Sequence, residues 1–182
     1  MSSFEFIFTA NTIILALVIA RLLEGLRDTF DPNRRYWIHY LWVINRIMVV
    51  LSALLMAFAN RDRADHDALD LLIIITPSAV LFFQVNVLLT SHPAQIDSWR
   101  DHFWSVKKWF FGANLLYGLG ISLYTSPQGL ELTMFQRYST LVVGLALTTV
   151  GYISNSERVH ALLVIVGILN VTVAVIRLVI LV

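Results

Sequence analysis

The chain contains no cysteine, which excludes disulfides, thiolate metal sites and cysteine nucleophiles. It has almost no surplus charge: 13 Lys and Arg against 12 Asp and Glu give a net charge of +1. No basic tract is dense enough to follow a phosphate backbone, so nucleic acid is not an expected partner. HExxH, GxSxG, P-loop and dinucleotide fingerprints are all missing, and no cofactor is implied. The opening residues, MSSFEFIF, lack a positively charged n-region, and no A-x-A site follows the first apolar run. That run is therefore expected to be a retained helix and not a cleaved signal. Linkers and low-complexity segments are also lacking, which leaves one domain.

What the chain has instead is apolar length. Hydrophobic residues make up 58% of its 182 positions, and the mean hydropathy is +0.73. Six apolar segments, at about 4–27, 36–59, 69–90, 105–125, 134–153 and 158–181, each approach the ~20 residues that a spanning helix needs. They are too long and too continuously apolar for barrel strands, whose residues alternate with period two. The expected fold class is all-α: a polytopic membrane protein, a six-transmembrane-helix bundle in which short connections make consecutive helices antiparallel neighbours. The FTAN at Phe8–Asn11 and the FGAN at Phe111–Asn114 do not extend into a repeat. Lys and Arg in the connections set the orientation. The first, third and fifth loops hold Arg27, Arg34, Arg35, Arg100, Lys107, Lys108 and Arg158, against Arg61, Arg63 and Arg137 in the second and fourth. The odd loops are expected in the cytoplasm and both termini in the periplasm.

Arg46 lies about ten residues into the second segment, YWIHYLWVINRIMVVLSALLMAF. A charge at that depth costs about 2.5–3.5 kcal/mol on insertion scales, so it normally faces protein or water. Helical side chains tilt toward the N-terminus, which aims Arg46 and Glu24 at each other across antiparallel helices. Their Cα heights differ by roughly 10 Å at 1.5 Å per residue. Arg21 is placed to share the carboxylate at i−3, with His39 and Asn45 beside the group. Arg21, Glu24 and Arg46 sum to +1, which suits a small anion or a lipid phosphate. The other reading is a closed ion-pair network that fixes helix packing.

Further polar features are scattered. Pro77 in the third segment removes an amide hydrogen and marks a hinge, with Thr76, Gln84 and Asn86 supplying polar atoms nearby. Gly118 with Ser122, and Gly144 with Thr148, follow small-xxx-small spacing, for intrachain packing or for a homo-oligomer. In SWRDHFWSVKKWFF, Ser98 and Asp101 fit a capping box. There Trp99, Arg100, Trp104, Lys107, Lys108 and Trp109 read as a lipid-interface segment, helical over 97–106 and running into the fourth span. His39, His92, His102 and His160 fall near cytoplasmic helix ends, as ordinary interfacial residues or as converging imidazoles for haem or metal. Asp62, Asp65, His66, Asp67 and Asp70 form either a solvated loop or a divalent-cation site. Arg177 is expected to snorkel, or to meet Glu5 or the C-terminal carboxylate.

ARLLEGL (Ala20–Leu26) followed by YWIHYLWVIN (Tyr36–Asn45) resembles an uncharacterised family of bacterial multi-pass inner-membrane proteins. The resemblance implies a bacterial inner membrane and a six-helix plan, and it brings no activity and no residue roles. Two functions stay open. One is a small-solute or ion transporter or channel whose polar path involves Arg21, Glu24, Arg46 and the Pro77 kink. The other is a non-transporting membrane subunit, sensor or scaffold. Membrane lipids are the expected partners in both.

Overall fold

The computed structural model describes residues 3–59, 68–124 and 134–181. Six helices account for most of them: α1 (Ser3–Thr29), α2 (Trp37–Ala59), α3 (Ala68–Leu89), α4 (Trp99–Tyr124), α5 (Met134–Ile153) and α6 (Glu157–Leu181), with a short 3-10 turn at Pro93–Gln95. No strand occurs among the described residues. Helices satisfy their backbone groups internally, which suits runs with so few polar side chains. Four of them, α1, α2, α3 and α6, are long and apolar enough to cross a membrane. The start of α4 carries Arg100, Asp101, Lys107 and Lys108, and the described apolar stretch of α5 is the shorter Val142–Ile153.

The helices do not pack simply in sequence order. Contacts are richest between α3 and α4, α2 and α6, α1 and α3, α4 and α5, and α1 and α2. The order around the bundle is therefore α6–α2–α1–α3–α4–α5. Consecutive helices α2 and α3, like α5 and α6, touch little, which corrects the expectation that every sequential pair would be neighbours. The core runs along the inner faces and includes Leu15, Leu22, Val43, Leu81, Leu88, Phe103, Phe110, Phe111 and Val164. The outer faces are apolar too. Ile13, Leu17, Leu51, Leu162, Leu169, Val173 and Ile176 are all exposed, and a surface of that kind needs an apolar cover.

Close approaches occur elsewhere than the small-residue spacing suggests. A Cβ added at Gly118 or Gly144 meets no described neighbour within 4 Å. At Gly120 it would lie 2.9 Å from the ring of Pro77, at Gly25 2.5 Å from the Leu89 side chain, and at Gly151 it would run into the Phe111 ring. Pro77 thus packs its ring into a glycine notch on α4, inside a helix that continues through it.

The connection ends of α1, α3 and α5 are tied by side chains. Thr29 Oγ1 donates to Leu26 O at 2.9 Å as α1 finishes. In the following turn Asp31 accepts from Asn33 N at 3.0 Å and from Arg34 Nε at 2.8 Å. The Asn33 amide, then the Arg34 guanidinium, hold its carboxyl below the usual carboxylate range. After α3, Thr90 adopts a left-handed φ of 43°. Arg21 donates to Leu89 O and Thr90 O there. Ser98 caps α4 as its motif suggests, accepting from Asp101 N at 3.3 Å.

Candidate functional site

Arg46 is 4% exposed and sits on the inner face of α2. Its guanidinium is held by amide oxygens alone. Nε donates to Asn45 Oδ1 at 3.2 Å. Nη1 donates to Gln84 Oε1 on α3 and to Asn114 Oδ1 on α4, both at 2.9 Å. Nη2 returns to Asn45 Oδ1. Gln84 Nε2 also donates to Asn114 Oδ1 at 3.3 Å. The chain then passes to α5, where Asn114 Nδ2 donates to Thr148 Oγ1 at 3.0 Å and that hydroxyl donates to Gly144 O at 2.8 Å. Two rings lie over the cation, with its Cζ 5.3 Å from the centroid of Phe110 and 6.0 Å from that of Trp42. A guanidinium shares its charge well with ring faces and planar acceptors.

Glu24 is not part of this group. Its side chain is 67% exposed and pairs with Arg21 at 2.8 Å, so the expected Glu24–Arg46 partnership is corrected. The tilt of side chains toward the helix N-terminus sets a level along the axis but does not fix rotation about it. Glu24 points outward from α1 while Arg46 points in. Arg21 likewise faces the end of α3. Among the described residues no carboxylate pairs with Arg46, and the formal charge of the cluster is its own +1.

The other candidates divide. Asn45 and Gln84 join Arg46, whereas Asn86 bonds back to Phe82 O of its own helix at 2.8 Å. His39 is fully buried but lies on a different group, stacked on Trp99 at 4.8 Å with His102 at 6.0 Å between ring centroids. Neither of its ring nitrogens has a partner. His102 and His160 each place Nε2 3.0 Å from a backbone oxygen, of Leu88 and of Ser154. Phe103 stands between His39 and His160, and His92 is exposed. No set of three potential metal ligands converges among the described residues.

The lipid-interface segment needs correction at two positions. Trp99 is fully buried, with Nε1 donating to Asp28 O at 3.0 Å. Lys107 is 4% exposed and donates to Ser154 O and Asn155 Oδ1 just after α5. The segment is the first part of α4 itself, and its inner face meets α1, α2, α3 and the α5–α6 connection. Arg100, Lys108 and Trp109 stay on the outside, Arg100 pairing with Glu157 at 2.7 Å. Trp104 is half-buried, beside Lys107 Nζ at 5.1 Å. Asp62, Asp65, His66 and Asp67 lie outside the described residues, as do the side chains of Asp70 and Arg177.

Sequence reasoning missed Asn114 and the network role of Thr148. Asn114 carried a signal, a lone amide at mid-helix in the otherwise apolar second half of α4. The fold and this cluster define an all-helical bundle, four of whose helices are long and apolar enough to cross a membrane, with an arginine buried among amides. No protein-family model, curated protein or solved structure matches the chain.

Proposed function

We propose that this is a six-span protein of the bacterial inner membrane that carries a small charged solute through a path centred on Arg46. Both termini face the periplasm in this reading. The apolar outer faces support insertion, and the charge of the odd loops supports the orientation. A reporter fused at the C-terminus that is active only in the cytoplasm would reverse it.

The observation that carries the solute reading is a buried guanidinium with no paired carboxylate among the described residues. Its neutral amide partners solvate the cation but leave its charge uncancelled. A charge 4 Å away interacts at about 4 kcal/mol at an effective dielectric of ~20, several times its value in water. A bundle needing only a hydrogen-bonded lock has cheaper choices than a permanent charge. Arg46→Met in reconstituted vesicles is the test. Solute flux should fall to background while the protein still folds. Arg46→Lys keeps the charge, loses the planar fork, and should retain only part of the flux.

A second reading, a non-transporting subunit or scaffold, has its own support. Four of the five N–H groups of Arg46 already have acceptors, and those acceptors bring α2, α3 and α4 together. Activity that survives Arg46→Met would favour it.

A further inference from the structure

Hydrogen-bonding capacity around Arg46 is lopsided. Every amide oxygen in the cluster is turned to a donor: Asn45 Oδ1 and Gln84 Oε1 to the guanidinium, Asn114 Oδ1 to the guanidinium and to Gln84. The Thr148 hydroxyl is spent in both directions. What remains unspent is N–H. Asn45 is 1% exposed, yet among the described residues its Nδ2 has no partner, and the indole Nε1 of the adjacent Trp42 has none either. Arg46 Nη2 keeps one N–H beyond the bond to Asn45. Buried donors of this kind are costly unless something accepts from them.

We propose that the cluster takes a small monovalent anion with acceptor atoms only, of the halide or nitrate class, held by Asn45 Nδ2 and the free N–H of Arg46 Nη2. This rests on Arg46 being the solute site. One negative charge cancels the one uncancelled positive charge, whereas a dianion would carry its own surplus into a low-dielectric interior. A cation is repelled, and a neutral solute leaves the arginine as it was. Trp42 and Phe110, their ring centroids 5.3 Å apart, lie together on one side of the guanidinium, so the anion approaches away from them. Gly167 of α6 packs against the Asn45 amide, and a Cβ there would lie 3.3 Å from Nδ2, crowding any acceptor of its N–H.

The test is thermal unfolding of the purified full-length chain in detergent, in gluconate buffer, titrated at constant ionic strength with bromide, nitrate or sulfate. Bromide and nitrate should raise Tm by a few degrees and saturate at millimolar concentration, and sulfate should give no saturable shift there. Asn45→Asp, nearly isosteric, supplies the missing counter-charge from within, and it should fold and lose the bromide shift. Gly167→Ala should raise the half-saturating bromide concentration about tenfold, the loss of one charge-assisted hydrogen bond. No saturable bromide shift in the wild type overturns the proposal, as does a full shift in Asn45→Asp or, should that variant not fold, an unchanged half-saturation in Gly167→Ala. Arg46-dependent flux without a bromide shift refutes the anion class alone, and a bromide shift without Arg46-dependent flux refutes the transport reading alone.

Discussion

At the end of the bundle formed by the α1–α2, α3–α4 and α5–α6 connections, cations sit on backbone carbonyls; at its centre, Arg46 sits on side-chain amides. Arg21 caps the end of α3, Arg34 holds Pro93 O and Ile96 O at 3.1 and 3.0 Å, and Lys107 holds Ser154 O. The last carbonyls of a helix carry about half a negative charge between them. A cation placed there is partly neutralised by the fold and has a structural role to fill. Mid-helix carbonyls are already spent in the helix, so at the centre only side chains are free to solvate a charge. Amides do so without cancelling it. The same residue type therefore acts as a cap in one region and remains a charge in search of a partner in the other.

The largest expected effect lies at the capped end. Trp99 is fully buried, stacked on His39 and bonded to Asp28 O, so Trp99→Ala should cost about 3–5 kcal/mol. Denaturant unfolding in mixed micelles measures it, and a loss below 1 kcal/mol would return Trp99 to the lipid interface.

Lys107 and Arg46 offer the direct contrast. Lys107→Met leaves the Ser154 carbonyl without its cation and should destabilise by about 1–3 kcal/mol. Arg46→Met relieves the desolvation of a buried charge, worth several kcal/mol, but strands the buried Asn45 Oδ1 and Gln84 Oε1 at about 1–3 kcal/mol each. It should therefore be near neutral and less destabilising than Lys107→Met. Equal destabilisation of the two variants in the same unfolding assay would erase the distinction between cap and charge.

Gly151→Ala should destabilise by about 1–3 kcal/mol, because Phe111 has to move. Gly118→Ala, with no described neighbour in reach, should gain up to about 1 kcal/mol of helix propensity. Comparing their melting temperatures separates real close approach from spacing.

The smallest effect is the pH response of the α1–α2 turn. Asp31 has a lowered carboxyl pKa in the fold, so its contribution is present above the unfolded value near 3.9 and is lost as pH falls through the lowered folded value. Asp31→Asn should shrink the fall in Tm between pH 6 and pH 3. An identical fall in both proteins would show that the turn contributes nothing.

The helices were legible in the sequence. Apolar length and the lack of alternation gave six of them, and their observed ends fall within a few residues of the expected ones, except that α4 absorbs the separate segment before it. It also singled out Arg46, Asn45 and Gln84, because polar residues are conspicuous in apolar runs. Which of them meet was set by packing between helices. Rotation of each helix about its axis, and the order α6–α2–α1–α3–α4–α5, come from side-chain packing between helices and not from the period of any one. That is why Glu24 faces away from Arg46, and why Asn114, in the expected fourth span, supplies an amide that holds it.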